Sequence, residues 1–540
     1  MPILTAIDLT GIQRFIFRSN RLKDVPPSSD LVSNFTSAAE GGMIHSIVGG
    51  SGQILMAAGG NAILEFPDSN AARSFAGKYS RRLIETAPDL GVAVAHVEYE
   101  KHHIAQAVKN VRERIELAKR VRRPSAPLLG ISVNASCTET GLPAIRPSNK
   151  QALEAELLSR SIHSVRQYAQ STARETPNQK WPDISWPASF KFPRDLDDLG
   201  RSPGHCSLVG VVHIDGNGVG HKITQWLERQ VDAQARGKTT DAQFRHSYAA
   251  WSSALEELSA DALNSGMQAL AQALRQEKGH WVVHSPSCCD TDAHDLVFQK
   301  DKASGSSFLP VRPILVGGDD LTFVCDGRIA LSLADCILDA FERTEIPELG
   351  RMAACAGVAL VPAHSPFSRA YELAEKLCHS AKGLSRAHQG GSALDWHIGA
   401  ITSGDSLAVI RDAGYQRATF RLTCRPYLLK SDGSGYLSWR WLENELLGSV
   451  ASGLRGEAWS KAHNKVRQLQ DIASDGPAAI AIALKNWRIV HRDLQLPAEI
   501  AIDGFIGSDS KRSTPLLDAV ELFNLHIDLK KIQSKEAAHA

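Results

Sequence analysis

A chain of 540 residues is too long for one ordinary hydrophobic core, and we expect about three or four domains of ~150 residues each. Its 60 Lys and Arg residues balance 59 Asp and Glu residues, and this gives no support for a broadly basic nucleic-acid surface. The nine cysteines contain no CxxC pair, which favours reduced thiols in a cytoplasmic protein. Without a signal-peptide pattern or a run of about 18 apolar residues, we expect no membrane contact.

Residues 1–125 predict a first unit of strand, helix, hairpin, helix and strand, the βαββαβ order of a ferredoxin-like sheet. The opening strand LTAIDLTG ends in Asp8, and Gly11 follows three residues later. The hairpin ILMAAGGNAILEF at 54–66 leads into the helical stretch AARSFAGKYSRRL. The strand GVAVAHVEY then starts at Gly91 and completes the unit.

Residues 126–205 predict a linker, because a helical stretch is followed there by the Pro-rich connector WPDISWPASFKFPRDLDDLG. The basic run KRVRRP at 119–124 precedes this linker and is most simply a helix end that the helix dipole favours.

Residues 206–404 repeat the first unit. The strand VGVVHIDGNG ends in Asp215, with Gly218 three residues later. The hairpin RPILVGGDDLTFVCDG at 312–327, the helical IALSLADCILDAF and the strand GVALVPAH from Gly357 follow in the same order. We infer that the chain contains a duplication.

The glycine pairs of the two hairpins set an alignment between the copies. Matching Gly59-Gly60 to Gly317-Gly318 leaves no gap as far as the next aspartate. The aligned pairs are Asn61 with Asp319, Ala62 with Asp320, Asp68 with Asp326 and Gly91 with Gly357. The first copy therefore lacks two of three carboxylates, and we expect it to be a structural or substrate-supporting twin of the second.

Three carboxylates are predicted to converge in the second unit, because its first strand lies beside the hairpin strands in this topology. They are Asp215, Asp319 and Asp320. Two adjacent aspartates at a hairpin tip repel each other, and a bound Mg²⁺ or Mn²⁺ would neutralise them. The alternative is an ordinary acidic turn, since Gly and Asp dominate turns. We expect Gly317 and Gly318 to allow the tight turn of the hairpin. We expect Gly216 and Gly218 to let backbone N–H groups approach phosphate oxygens closely.

Residues 405–540 predict an α-helical C-terminal domain. Apolar residues recur at helical spacing in WLENELLGSVASGLRGEAWSKAHNKVRQLQ and in PAAIAIALKNWRIVHRDL.

These motifs resemble the large subunit of type III CRISPR effector complexes, the Cas-ten family. The resemblance covers roughly residues 1–400 and depends on DLTGIQRFIF, IDGNGVG, VGGDDLTFV and AYELAEKLCHSAK together with the degenerate first copy. It implies an α+β protein with two palm domains of the polymerase and GGDEF-cyclase type, a helical linker and a C-terminal domain that contacts other subunits. It also implies that the second palm joins ATP into cyclic oligoadenylate messengers in antiviral defence, releasing pyrophosphate.

The resemblance also implies roles for individual residues. Asp215, Asp319 and Asp320 match the catalytic, metal-binding carboxylates. Lys382 matches a position that faces the triphosphate, although a solvated helix lysine is an equal alternative. The residues matching the nucleotide-binding loop are Asn217, Gly218 and Gly220. The implied partners are nucleoside triphosphates, other effector subunits and guide or target RNA, with a homodimer left open.

The sequence departs from the family at two features. Larger members start with a histidine–aspartate nuclease domain, whereas the only His-Asp dipeptide here, His294-Asp295, lies in a polar insertion at 276–310 that we expect to be irregular. Many members also have a zinc site between the palms, of which SCTETGLPAI retains only Cys137. We therefore expect neither a DNase centre nor a zinc ion.

Two other functions remain open from the sequence. One is a stand-alone cyclic dinucleotide synthase, which the missing nuclease domain favours. The other is a non-catalytic scaffold that binds guide or target RNA, which the three aspartates argue against. The neighbouring genes would discriminate between them.

Overall fold

The protein has a mixed α+β fold that contains two main β-sheets. The computed structural model describes residues 1–121, 134–147, 156–171, 175–199, 207–285, 295–399, 406–507 and 512–531. In these ranges no helix is both long and apolar enough to cross a membrane.

The first sheet has four antiparallel strands in the order β2-β3-β1-β4. The strands are β1 (Ile3–Thr10), β2 (Gln53–Ala58), β3 (Asn61–Phe66) and β4 (Gly91–Glu98). The helices are α1 (Ile12–Ile16), α2 (Val25–Phe35), α3 (Met43–Val48), α4 (Ser69–Thr86) and α5 (Ile104–Val121). In β4 alternate residues are buried, as the period of a strand with one covered face requires.

The second sheet has six strands in the order β6-β7-β5-β8-β9-β10, of which only β8 and β9 pair in parallel. The strands are β5 (Leu208–Gly216), β6 (Val311–Gly317), β7 (Asp320–Asp326), β8 (Ala354–Pro362), β9 (Ala393–Ile398) and β10 (Tyr427–Leu428). The helices are α6 (Val219–Ala235), α7 (Asp241–Ala273), α8 (Ala330–Arg343) and α9 (Phe367–Ala387). Its first four strands repeat the order of the first sheet.

The duplication extends to details of the backbone. Gly11 and Gly218 each precede the first helix of their unit in a left-handed conformation, with φ of 77° and 67°. Each hairpin also has a register shift in its outer strand, three residues before that strand ends. The sequence-based inference of a repeat agrees with both features.

The alignment of the two hairpins, however, was wrong by one residue. Asp8 pairs with Asn61, whereas Asp215 pairs with Asp320. In each hairpin the turn residue before this partner accepts a hydrogen bond through its carbonyl. Leu9 N–H donates to Gly60 O at 2.8 Å, and Gly216 N–H donates to Asp319 O at 3.0 Å. Asn61 therefore corresponds to Asp320, and Gly60 corresponds to Asp319.

The pairing of Asp68 with Asp326 was also wrong. Asp68 caps α4 by accepting hydrogen bonds from the N–H groups of Asn70 and Ala71. Asp326 instead accepts from the backbone N–H and the guanidinium of Arg328. The two carboxylates have different structural roles.

The shared Gly-Val-Ala strand start was a coincidence too. Asp8 pairs with Ala93 and Asp215 pairs with Cys355. In this register Gly357 corresponds to Ala95, and Gly91 is not its equivalent.

The segments between and after the sheets contain further small elements. In the linker these are the strands Ala144–Pro147 and Leu157–Ser159 and the helices Arg160–Ser171 and Pro177–Lys180. In the insertion the strands Arg275–Glu277, His280–Val283 and Leu296–Val297 form a small sheet. The expectation of an irregular insertion was therefore wrong for these strands, whereas residues 298–310 contain only turns and isolated bridges.

The C-terminal region is mainly helical, as predicted. Its helices are Leu407–Tyr415, Trp439–Trp441, the π-helix Leu442–Leu447, Glu457–Ser460, His463–Ser474, Pro477–Val490 and Leu516–Phe523. Trp396 on β9 stacks on Tyr427 and meets the edge of Trp439, so this region and the second sheet share a core. The predicted domain boundaries remain predictions.

Candidate active site at the edge of the second sheet

Three aspartates meet where β5 ends and the β6–β7 hairpin turns. Asp215 and Asp320 are direct partners in the β5–β7 ladder, and Asp319 occupies the turn before Asp320. The turn is tight because Gly318 adopts a positive φ of 60°. A side chain on Gly216 would place its Cβ 2.6 Å from Cβ of Asp319, so only glycine allows this approach.

The carboxylates lack enough positive charge around them. Burial and the neighbouring charge of Asp215 raise the pKa of Asp319 to about 6. Burial, followed by repulsion from Asp215 and Asp319, raises the pKa of Asp320 well above its ordinary value. Oδ1 of Asp320 is buried, and no described residue donates a hydrogen bond to it. This oxygen is an acceptor without a donor.

Lys382 on α9 lies inside the site. Its Nζ lies 2.5 Å from Oδ2 of Asp215 and donates to the carbonyl of Gly216 at 3.2 Å. Only 17% of its side chain is exposed, so the reading of Lys382 as a solvated helix lysine was wrong. The lysine forms an ion pair with the carboxylate that was expected to hold metal.

Two of the proposed nucleotide-binding residues already use their backbone N–H groups. Gly216 donates to Asp319, as described, and Asn217 N–H donates to Ala353 O at 2.7 Å. The Asn217 side chain donates to Ser385 Oγ at 3.0 Å and so fixes the loop to α9. The expectation that the Gly216 N–H contacts phosphate therefore does not fit this structure.

The start of α6 is the better candidate for an anion contact. Gly218 precedes the helix, and Val219 and Gly220 lie in its first turn, where N–H groups have no intrahelical acceptor. Of the two turn glycines, Gly318 alone needs a positive φ, while Gly317 is the last residue of β6.

Several residues near the site were not predicted from the sequence. Glu375 and His379 are exposed on α9 and line the same cavity as Lys382. They precede the lysine by seven and three residues, a helical spacing that could have revealed them. Glu256 also lines the cavity but belongs to α7, and no motif in the sequence marks it.

His213 lies behind the carboxylates and is neutral. Its Nδ1 lies 3.1 Å from Thr322 Oγ1 and 3.5 Å from Oδ1 of Asp320. Burial lowers the pKa of His213 to about 4. A neutral imidazole cannot balance the charge of the aspartates.

The first sheet keeps one part of this arrangement. Nζ of Lys119 lies 2.8 Å from Oδ2 of Asp8 and 2.9 Å from Oε1 of Glu116. Lys119 on α5 and Lys382 on α9 both lie fifteen residues after the first residue of their helix. The Asp–Lys pair is therefore duplicated, and Lys119 has a definite partner beyond the helix dipole.

The two sheet edges face each other across one cavity of about 840 Å³. Residues of both units line it, including Asp8, Asn61, Lys119, Asp215, Asp319, Asp320, Glu375 and Lys382. The cavity has room for a nucleotide-sized ligand, since ligand pockets commonly measure about 300–1,000 Å³.

In the described part of the chain, no group of three or more His, Cys, Asp or Glu side chains forms a ready metal cage. Such a cage is not required for Mg²⁺, which is usually held by one or two carboxylates together with substrate phosphates. Oδ1 of Asp320, to which no described residue donates, and the raised pKa of both hairpin aspartates suit a divalent cation as their partner. The residues present therefore suit a divalent ion bound together with its substrate.

The DNase centre and the zinc site that we expect to be absent would involve residues outside this cavity. Asp295 accepts a hydrogen bond from the backbone N–H of Ser285 and lies 3.1 Å from Nδ1 of His284, while His294 lies outside the described residues. Cys137 is buried, with 3% of its surface exposed. That the protein lacks a DNase centre and a zinc ion stays a prediction.

The fold is similar to that of solved Csm1–Csm4 cassettes. Against the complex with pppApA, the identity is 12% and the TM-score 0.52, over 97% of this chain and 69% of that one. For the complex with cA3 the identity is 11% and the TM-score 0.52, over 97% of this chain and 69% of that one. For the complex with AMPPNP the identity is 13% and the TM-score 0.50, over 97% of this chain and 70% of that one. No protein-family model and no curated protein matches the chain.

These likenesses show that the chain has the fold of the Csm1 subunits in those structures, over nearly all of its length. The resemblance inferred from the sequence is thus confirmed at the level of fold.

We expect Asn61→Asp to leave the first unit without a catalytic centre. The new carboxylate would restore the equivalent of Asp320, but Gly60 still replaces Asp319 and the Lys119 ammonium still pairs with Asp8. Calorimetric titration with Mn²⁺ and nucleotide should give the same stoichiometry as the parent, with the same turnover. A second bound metal ion or a doubled turnover would show that the first unit can be activated by one residue.

Proposed function

We propose that the protein is a metal-dependent nucleotidyltransferase that converts ATP into cyclic oligoadenylates, with release of pyrophosphate. The observation that supports this most directly is the cluster of Asp215, Asp319 and Asp320 facing a nucleotide-sized cavity between two related sheets. We infer that both sheets are ferredoxin-like palms and that the second one is catalytic, since the first lacks the equivalents of Asp319 and Asp320.

The same three aspartates are the proposed ligands of Mg²⁺ or Mn²⁺. The chemistry supplied by such an ion is activation of the attacking ribose hydroxyl and neutralisation of the departing pyrophosphate. The chain's own residues position the substrate and stabilise charge, as is usual in phosphoryl and nucleotidyl transfer. We propose that the Lys382 ammonium, now paired with Asp215, moves to the triphosphate and that N–H groups in the first turn of α6 contact the same anion.

ATP is the proposed substrate because of the fold neighbours. Solved Csm1–Csm4 structures are complexes with AMPPNP, pppApA and cA3, an ATP analogue, a linear adenylate and a cyclic one. By the same likeness we propose that this chain assembles in the cytoplasm with a Csm4-like subunit and with guide or target RNA. A homodimer and a stand-alone cyclic dinucleotide synthase are the competing arrangements.

Product analysis tests the proposal. The purified chain is incubated with each of the four nucleoside triphosphates in turn, with Mg²⁺ or Mn²⁺, in the presence and absence of a Csm4-like subunit and RNA. Mass spectrometry should identify cyclic oligoadenylates and pyrophosphate from ATP. A cyclic dinucleotide made by the isolated chain would favour the stand-alone enzyme, and no product in any condition would favour the scaffold.

Lys382→Ala should weaken nucleotide binding by roughly ten- to a hundredfold, because a charge-assisted phosphate contact is worth about 1.5–3 kcal/mol. The same variant should bind Mn²⁺ more tightly when nucleotide is absent, since Asp215 loses its ammonium partner. Titration calorimetry with each ligand separately measures both effects.

Lys376→Ala is the matched control, because Lys376 is exposed on the same helix and does not line the cavity. Lys382→Arg should restore only part of the nucleotide affinity, since its planar fork has a different reach. Unchanged nucleotide and metal binding curves for Lys382→Ala would remove the lysine from the site.

A further inference from the structure

A second, smaller cavity lies behind the catalytic hairpin. Its volume is about 230 Å³, and it is enclosed by α2, the linker around Lys180 and Phe192, and the outer strand β6. Strand β6 is also the strand that ends at Gly317, beside the catalytic aspartates. This cavity and the cavity of the active site share no lining residue, although both adjoin a third cavity that is lined by Ser33 as well as by Asp320.

Arg312 of β6 projects into this cavity without a carboxylate partner. Within the described residues its guanidinium makes no hydrogen bond and no ion pair within 4 Å, and its only close contact of this kind is with the Phe192 ring, 4.6 Å from the ring centroid. Burial lowers the pKa of Arg312 from its ordinary value and outweighs the attraction of Asp30 and Glu175. The guanidinium is half-buried, and its five N–H donors are open to an incoming acceptor.

The other walls of the cavity suit an anion. Lys180 contributes an ammonium group whose one ion pair in the described chain, with Glu175, is 3.2 Å long. Ser29 and Ser33 lie on the α2 wall and offer hydroxyl groups. Asp30, on the same helix, is exposed and forms no ion pair within 4 Å in the described chain.

We propose that this cavity binds a phosphate group, with Arg312 and Lys180 as its cationic ligands and Ser29 and Ser33 as hydroxyl donors. The planar fork of arginine and the point charge of lysine are the usual pair for phosphate oxygens. The volume of about 230 Å³ is sufficient for a phosphate group. The phosphate can come from a free anion or from the backbone of a nucleic-acid strand. Because Arg312 lies on β6, occupancy would fix the strand that carries the hairpin.

Titration calorimetry of the full chain with inorganic phosphate, without metal or nucleotide, tests the proposal. Arg312→Gln should lower the affinity roughly tenfold to a hundredfold, as expected for loss of charge-assisted contacts. Asp30→Asn should raise the affinity, because it removes the only carboxylate that lines the cavity among the described residues. Arg312→Lys, which keeps the charge and protects against loss of folding, should fall between the parent and Arg312→Gln.

Two controls separate this site from others. Arg81→Gln changes an arginine whose side chain is 82% exposed and should leave phosphate binding unchanged. Lys382→Ala removes the phosphate partner of the active site and should leave the Arg312-dependent binding intact.

A parallel titration with a ten-nucleotide single-stranded RNA identifies the source of the phosphate. Arg312-dependent binding of inorganic phosphate means that a free anion suffices, whereas Arg312-dependent binding of RNA alone assigns the site to a strand. If Arg312→Gln changes neither titration, or if Asp30→Asn weakens phosphate binding, the proposal is wrong.

Discussion

Replacing Asp319 and Asp320 together with asparagine is expected to abolish product formation while the chain remains folded. The loss should reach about three orders of magnitude or more, since removing the metal ligands removes several kcal/mol of transition-state stabilisation. Both residues lie at a hairpin tip, outside the hydrophobic core, and asparagine preserves their shape. Mass-resolved product assays and Mn²⁺ titration check the two halves of this expectation. Parental turnover in the double variant would contradict the assignment of the site.

The same variant should change how stability depends on pH. A carboxyl group whose folded pKa is raised stabilises the fold only while it is protonated, so this stability is lost as pH rises through the folded value. For Asp319 that window runs from about 4 to about 6, and Asp320, whose pKa is raised further, extends it upward. The metal-free parent should therefore lose on the order of 1–3 kcal/mol between pH 4 and 7 relative to the double variant. Added Mn²⁺ should reverse the loss in the parent alone.

A control for both measurements is Asp183→Asn. Asp183 is exposed and lines neither the active-site cavity nor the smaller cavity around Arg312. Its replacement should leave product formation and the pH profile unchanged. Equal effects from Asp183→Asn and the double variant would mean that net charge, and not the hairpin site, controls stability.

The sequence was sufficient to locate the three aspartates and the duplication. Local residues determine the strand pattern that ends in Asp215 and the turn pattern of the GGDD hairpin. Their meeting follows from the βαββαβ order, and the ladder between Asp215 and Asp320 agrees with it. Motifs that depend on local backbone chemistry were therefore predictable.

Register was not predictable, because it depends on which backbone groups exchange hydrogen bonds. The alignment of Asn61 with Asp319 placed matching glycine pairs opposite each other, yet the turn carbonyls belong to Gly60 and Asp319. One residue of slip reverses the face to which every side chain points. A repeat can thus be inferred correctly from an alignment that is itself displaced.

Contacts between distant segments also lacked a signal in the sequence. Lys119 belongs to a basic run that a helix dipole explains, and only the folded chain brings it to Asp8. Arg312 appeared as an unremarkable strand residue, because the cavity around it is closed by α2 and by the linker. Such sites require the tertiary arrangement of three segments far apart in the chain.

Gly357→Ala is expected to destabilise the fold more than any substitution within the active site or the smaller cavity. A Cβ at this position would overlap Ala374 O and Cys378 N, the two backbone atoms that close one turn of α9. Backbone cannot rotate away as a side chain can, so α9 must shift from β8 at a cost of about 3 kcal/mol or more. The control Gly77→Ala adds a Cβ in the middle of α4 with no heavy atom within 4 Å and should be neutral or stabilising.

The cost of Gly357→Ala should appear as a fall of roughly 3–5 °C in the midpoint of thermal unfolding, measured in parallel with Gly77→Ala. The displaced helix also carries Lys382, whose Nζ must stay 2.5 Å from Oδ2 of Asp215 to keep the present ion pair. Nucleotide affinity should therefore fall together with stability, even at temperatures at which the variant is fully folded. A variant that is destabilised but binds nucleotide normally would show that α9 tolerates displacement without moving the lysine. An unchanged unfolding midpoint would contradict the close contact between β8 and α9 on which the geometry of the site depends.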